Sequence, residues 1–410
     1  MQAQRVAIVG GGMAGLTAAF RLSKQGYAID LYEAAPALGG RTKSFYDQNI
    51  QAWVDNGPHM MVGAYHATKQ LLEDVDAGQL VSWQDSLTLP LWDKPRGFFA
   101  LKATSKLPIA LALLWAVAKL PQHDFSSVKA MLRIALSMKN IQDETLTVRQ
   151  WLEQCQAPAL LIQDMLEVLC LGVMNEPINT ANAKTFARVL NTSFSAHKNA
   201  KMGWFNQPLS QALITPIQDK LEQAGVNIHL RHSIRDVSSL NHDAIILALP
   251  AFARHRLLGS KQTVACQAIT NVHLWFEQPL PMPSMMLGML GTYSQWLFDV
   301  STMLSEQGSL QHLCITISAD SANLSQEACV QKVMQELESM FDKKLTPPQY
   351  SRVICEKRAT VLVREQQPSS LPAHIFDAGE MPNPGQLPAT IELAVLQGEK
   401  AARSAIKLLK

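Results

Sequence analysis

Charge is scarce in this chain. Asp, Glu, Lys and Arg make up 17% of its 410 residues, and the formal net charge is +2. The Lys and Arg residues are scattered, so no basic face offers itself to a nucleic acid, and no nucleic-acid-binding motif is present. Six cysteines, at 155, 170, 266, 314, 329 and 355, include no C-x-x-C pair and no zinc-ligand spacing. They read as small buried hydrophobes or idle thiols in a reducing compartment, and no metal site is expected. Long apolar runs are missing as well. The longest, Ile109 to Ala118 between Pro108 and Pro121, is far shorter than the roughly 20 residues a bilayer-crossing helix needs. It reads equally as a buried core helix or as an interfacial one, with Lys102, Lys106 and Lys119 near enough to meet anionic headgroups. Repeats and low-complexity tracts are absent. A strand begins by residue 6, which leaves no room for a secretory leader and predicts a cytoplasmic protein, with peripheral membrane contact as an option.

What is present starts at that strand. Val6 to Val9 is an apolar run of the kind buried in a parallel sheet. Gly10, Gly12 and Gly15 follow in G-x-G-x-x-G spacing, with Met13 and Ala14 in the last gap. Gly10 allows a tight turn, Gly12 lets backbone N–H groups approach a pyrophosphate, and Gly15 lets helix and strand pack closely. The helix that opens here directs unpaired N–H donors and its positive dipole end at phosphate. Leu16, Ala19 and Phe20 recur at helical spacing, and Gly26 stands at the C-cap. A second strand, Ala28 to Tyr32, ends on Glu33, where an acid meets an adenosine ribose and disfavours a 2′-phosphate. Strand, helix, cap and acid in this order predict a dinucleotide site.

Two further tracts favour FAD over a nicotinamide. Gly39-Gly40-Arg41 offers a second backbone nest and a permanently charged fork for a pyrophosphate. Near the other end, Phe376 to Glu380, with Gly379 and Glu380, precedes Leu387-Pro388-Ala389-Thr390-Ile391-Glu392. Pro388 reads as the start of a closing helix carrying Ala394, Leu396, Ala401 and Ala402. The N-terminus of that helix could meet the ribityl chain and the electron-rich edge of the isoalloxazine. No second G-x-G-x-x-G exists, because Gly288 and Gly291 lack the spacing. The flavin therefore has to be reduced by substrate or by an external electron donor.

The expected fold is α/β: a Rossmann-like FAD-binding domain of the glutathione-reductase type with an inserted α+β substrate domain. The FAD domain is assigned to 1–75, 205–265 and 365–410, and the substrate domain to 76–204 and 266–364. Residues 76–204 read as mostly helical, with amphipathic runs at Val148 to Leu152 and Leu160 to Leu171. Val226 to Leu230 and Ile234 to Val237 alternate like strands, and Asp243 to Pro250 holds an apolar strand, ended by the proline, that belongs in the central sheet. Val272 to Phe276, Trp296 to Val300 and Leu313 to Ile317 fit a sheet in the second domain.

Over its whole length the chain resembles the flavin-containing amine oxidase and phytoene desaturase superfamily. A narrower resemblance, to the squalene-associated FAD enzymes called hydroxysqualene dehydroxylases, rests on several ordered tracts. These are Asp55 to His59, Leu171 to Pro177, Ala187 to Leu190, Pro208 to Ser210, Glu356 to Thr360 and Leu387 to Glu392. The resemblance implies a backbone contact to adenine near Val237, and a segment from Asp55 to His59 that turns beneath the isoalloxazine. It implies an apolar isoprenoid substrate, hydroxysqualene, whose hydroxyl leaves with a general acid's help before hydride transfer. Three departures stand out: Glu380 in place of aspartate, Leu393 in place of glycine, and no T-P turn within Val361 to Gln366. Glu380 could lengthen or shift the ribityl contact, and Leu393 could crowd the flavin.

In such a site His59 is a candidate proton donor, its pKa set by burial and by Asp55. Alternatively both residues only hold the turn. Asn175, Glu176 and Tyr65 read as more structural. Trp204, Phe205, Trp275, Trp296 and Phe298 are aromatic faces able to steady a cation, though aromatics are more often plain core. A carotenoid desaturase, an amine oxidase or a non-catalytic polyprenyl-binding flavoprotein are the alternatives.

Overall fold

The computed structural model describes residues 4–260, 263–304, 308–364, 371–380 and 382–410. At its centre is a five-stranded parallel sheet in the order Asn227–His229, Ala28–Tyr32, Arg5–Val9, Ala244–Leu247, Ile375–Asp377. Val6 to Val9 are paired on both sides, with Ile29 to Tyr32 and with Ala244 to Leu247. A strand buried on both faces tolerates only apolar side chains, which is why this run reads Val-Ala-Ile-Val. Val6 and Ile8 face a large core under the helices Met13–Ser23 and Ile391–Leu409, while Ala7 and Val9 face a smaller one. The two helices cross closely at Gly398, where a Cβ would lie 2.3 Å from the Ala14 carbonyl oxygen. On the closing helix Leu396 is exposed and Val395 is buried.

A seven-stranded sheet forms the second layer. Its order is Tyr350–Val361, Cys266–Phe276, Gln311–Ser318, Trp296–Asp299, Met286–Met289, Thr88–Asp93, Gly97–Lys102. The last two strands lie within 76–204, which is otherwise helical in the main as expected. Pro90 lies inside that hairpin and obscured it, because proline removes a ladder donor and reads as a breaker. Ile234 to Val237 is not a strand either. Val237 opens a 3-10 turn, Val237–Ser239, in which the Ser238 N–H donates to the Asp236 carboxylate. Of the tract Val361 to Gln366, Val361 ends a strand, and Glu365 and Gln366 lie outside the described residues.

Helices pack beneath this sheet, among them Ile109–Ala118, Phe125–Ser137, Glu167–Met174 and Ala183–Ser193. Leu160 to Leu171 is not one regular helix: a π-turn at Ile162–Leu166 interrupts it. The wider turn goes with Asp164 being buried and bonded to Arg96 and His123. A small sheet, Met60–Val62, Met202–Phe205 and Val81–Trp83, spans the expected boundary at 205.

Candidate functional site

Two glycine loops meet at the C-terminal edge of the parallel sheet. Gly10 holds φ at +111°, and a Cβ there would lie 2.2 Å from the Ala248 carbonyl oxygen. A Cβ on Gly15 would fall 1.9 Å from the Gly10 carbonyl oxygen, so only glycine fits. A Cβ on Gly12, by contrast, would meet nothing within 4 Å. That opening is bordered by the start of the Met13–Ser23 helix, whose Gly12 cap supplies no side-chain bond. Free N–H groups beside open space are the means of holding a diphosphate. Glu33 braces the turn: its Oε2 accepts from Gly11 N at 2.7 Å and its Oε1 from Ala35 N at 2.7 Å. The second loop docks on the first, with Gly39 N donating to the Gly11 carbonyl at 2.9 Å and Gly40 beside the Gly12 Cα.

The C-terminal tracts close on these loops. Gly379 approaches the strand end so nearly that a Cβ would sit 2.6 Å from the Leu249 carbonyl oxygen. Thr390 caps the Ile391–Leu409 helix, accepting from Leu393 N at 3.2 Å. Pro388 and Ala389 thus precede the cap, and Pro388 is not the first helical residue as expected. Leu393 is buried. Glu392 accepts from Ala67 N, Thr68 N and the Thr68 hydroxyl, at 2.7 to 2.9 Å, and so caps another helix, His66–Asp74. The Glu380 carboxylate forms an ion pair with Arg41 and accepts from Val361 N at 3.3 Å. Arg41 also donates to the Ala359 carbonyl, so its guanidinium is engaged by two segments distant in the chain. The glycine cradle, its adjoining helix start and the Glu33 brace fit FAD; the backbone of Gly10 to Gly15 and Gly39 to Gly40 would hold its diphosphate.

Beyond the second glycine loop the chain runs through two strands, Ser44–Asp47 and Ala52–Asp55, into the turn Asn56 to His59. That turn faces the seven-stranded sheet across a narrow cavity. Its apolar wall comes from Trp53, Pro58, Phe205, Pro208, Leu209, Val300, Met303 and Leu304; its titratable side chains are Asp55, His59, His273 and His312. Asn271 pins the turn by donating to the Asn56 carbonyl at 2.9 Å, and a Cβ on Gly57 would strike that amide at 2.4 Å.

Asp55 and His59 share the cavity, but among the described residues no hydrogen bond joins them. Asp55 Oδ1 instead accepts from Ser44 Oγ at 2.6 Å and from Leu209 N at 3.0 Å. Burial raises its pKa to about 6 against the opposing pull of those two bonds. Burial lowers His59 to about 4, helped by the Arg41 cation. The expected pairing, in which Asp55 sets the His59 pKa, is therefore corrected: Arg41 is the charge that His59 senses. Near neutrality His59 is neutral, and Asp55 is the group able to exchange a proton.

The remaining candidates fall elsewhere. Asn175 takes φ +50° after the Glu167–Met174 helix, donates to Thr360 Oγ1 at 2.9 Å and accepts from Ala319 N at 2.6 Å. Glu176 pairs with Arg364 at 2.6 Å. Tyr65, whose pKa burial pushes up, borders Thr390 and Glu392. These residues join segments and lie off the cavity. Phe205 is the one expected aromatic on its wall, while Trp296 and Phe298 stack at 6.3 Å in the helical core. Trp204 lies in the small three-stranded sheet. Trp275 stacks on His312 at 4.2 Å.

Sequence reasoning missed His273, His312 and Trp53. A signal existed: Asn271, His273 and Trp275 alternate with Val272, Leu274 and Phe276, so a period of two puts every polar side chain on one face.

The Flavin containing amine oxidoreductase family model matches residues 13–406. The hydroxysqualene dehydroxylase of Zymomonas mobilis is 28% identical over 97% of this chain and 98% of its own length. The 15-cis-phytoene desaturase of Arabidopsis thaliana is 20% identical over 76% of this chain and 59% of its own. In fold, an oxidoreductase from Methanosarcina mazei superposes with a TM-score of 0.75 at 14% identity, covering 97% of this chain and all of that one. With a family match that runs from the first helix to the last and a cradle shaped for its cofactor, this chain belongs to the flavin-containing amine oxidoreductases and is an FAD-dependent oxidoreductase.

Proposed function

We propose that this enzyme reduces hydroxysqualene to squalene. The observation that carries the reading is Asp55: a carboxyl whose burial raises its pKa to about 6, and the one acid on the wall of a largely apolar cavity. Replacing a hydroxyl by hydrogen consumes one hydride and one proton and releases water. The backbone of Gly10 to Gly15 and Gly39 to Gly40 would hold FAD, which in its reduced form would supply the hydride. Asp55 supplies the proton to the departing oxygen, its Oδ1 anchored by Ser44 and Leu209 so that Oδ2 is the exchanging atom. The walls of Phe205, Pro208, Leu209, Val300, Met303 and Leu304 exclude water, which would otherwise trap the carbon centre as the carbon–oxygen bond opens. Similarity to hydroxysqualene dehydroxylases along almost the full length supports this substrate.

A substrate dissolved in lipid calls for contact with a membrane surface. No helix among the described residues is long and apolar enough to cross one. The helices Ile109–Ala118 and Phe125–Ser137 nonetheless turn Leu111, Trp115, Phe125, Leu132 and Leu136 outward. Trp115 carries Lys119 over its ring at 4.8 Å, and Lys102 and Lys106 lie nearby in the chain. Apolar side chains among lysines suit peripheral binding to an anionic bilayer.

The test is anaerobic. The purified yellow protein is reduced with dithionite and mixed with hydroxysqualene. Return of the oxidised flavin spectrum together with squalene formation is the expected result. Bleaching of the oxidised protein by a carotene or an amine, with no reaction of hydroxysqualene, would overturn the proposal.

A further inference from the structure

The cavity wall formed by the seven-stranded sheet carries a chain of hydrogen-bonding groups that the proton-transfer step does not use. Strand register sets His273 opposite Cys314 and Trp275 opposite His312, all on one face. His273 Nδ1 is 2.9 Å from His312 Nε2, and His273 Nε2 is 3.8 Å from Cys314 Sγ. Both His273 nitrogens are therefore engaged. His312 is 8% exposed and borders the cavity, and its Nδ1 meets no hydrogen-bond partner among the described residues. The ring is held in place by stacking on Trp275 at 4.2 Å, and the residue's backbone N–H donates to Ser301 Oγ at 2.7 Å. The chain thus has one open end, and it is rigid.

Imidazole chemistry says what that end accepts. Burial, with the Arg352 cation beside His273, holds both rings in the neutral form. In a neutral pair, one ring donates the shared bond. If His312 Nε2 accepts, its Nδ1–H is a donor; if Nε2–H donates, Nδ1 is an acceptor. A hydroxyl group, donor and acceptor at once, satisfies either arrangement. A hydrocarbon satisfies neither and leaves the nitrogen buried and unpaired.

We propose that the Cys314–His273–His312 chain is the receptor for the hydroxyl group of an isoprenoid alcohol, with His312 Nδ1 as the contact atom. It gives the cavity selectivity for alcohol over hydrocarbon, so that the product is released once its oxygen has left as water. This deepens the substrate proposal above and rests on it for the identity of the chain attached to the hydroxyl.

Binding is measured on the FAD-loaded enzyme with the flavin oxidised, so that no turnover occurs, by titrating hydroxysqualene and squalene against the flavin spectrum. The wild type is expected to prefer the alcohol about tenfold, the factor that one net hydrogen bond supplies. His312→Leu should weaken the alcohol about tenfold and leave squalene within about twofold. His312→Gln, which keeps a donor and an acceptor, should retain most of the preference. Equal weakening of both ligands by the leucine variant, or of neither, overturns the proposal. Should the leucine variant fail to hold FAD, the glutamine variant decides: a retained preference supports the receptor, and joint loss of both ligands overturns it. The two readings also separate. Wild-type turnover of hydroxysqualene without any His312 effect leaves the reaction standing and removes the receptor. A His312-dependent preference for farnesol over farnesene, with no reaction of hydroxysqualene, keeps the receptor and removes the reaction.

Discussion

The glycine cradle and the cavity wall lie in one molecule but are built by opposite means. The cradle is made of what side chains leave out. A Cβ at Gly10 or Gly15 would overlap a carbonyl oxygen, while at Gly12 space is left for a ligand. The cavity is made of what side chains bring in, from the turn Asp55 to His59 and from two distant strands carrying His273 and His312. A backbone device rejects a side chain wherever main chain meets main chain, as at Gly10 and Gly15. A side-chain device should yield function one group at a time.

The largest effect that would break this contrast is expected at Gly15. Gly15→Val places carbon where the Gly10 carbonyl oxygen already is, so the purified variant should lose its flavin absorbance. A yellow, fully loaded variant would show that the loop has far more room than its geometry allows.

Asp55→Asn should do the reverse, keeping FAD and lowering the single-turnover rate by about 10²- to 10⁴-fold, the range of general acid catalysis. The sign of the pH dependence follows from the raised pKa. Only the protonated carboxyl donates, so the wild-type rate should be highest below pH 6 and fall about tenfold per unit above it. The asparagine variant should lack that fall. A wild-type profile that rises through pH 6 would assign Asp55 the role of base.

The smallest effect concerns stability. His59 and His273 are held at about 4 and about 3, below the ordinary 6.5. Below pH 6.5 the unfolded chain takes up protons on both, and the folded chain does so only near those lower values. Their contribution is therefore complete above pH 6.5 and is lost as the pH falls through that window. Asp55 acts in the other sense, costing stability as the pH rises from about 4 to about 6. His59→Gln should accordingly lose less Tm than wild type between pH 7 and pH 5, measured by thermal melts. Equal losses would mean that His59 is not held neutral in the fold.

The pattern of legible and illegible features follows the same division. Strands Arg5–Val9 and Ala28–Tyr32 and the Met13–Ser23 helix could be read from sequence because each is patterned by residues a few positions apart. The bracing role of Glu33 could not, since its partner Gly11 lies 22 residues away. The hairpin Thr88–Asp93 with Gly97–Lys102 could not, since Pro90 is tolerated there only because of its partners in the sheet. Arg41 illustrates the limit. Its fixed charge was evident, but Glu380, which engages it, lies at the far end of the chain.

The sequence by itself determined the dinucleotide cradle, because glycine spacing constrains backbone angles locally and those angles define the loop. It also determined, through apolar runs, which strands are buried on both faces. Only the tertiary structure decided which groups share the cavity. Strand register brings His273 and His312 into line, and the docking of the sheet against the turn at Asp55 sets both proton affinities, because burial and hydrogen bonding belong to the assembled fold.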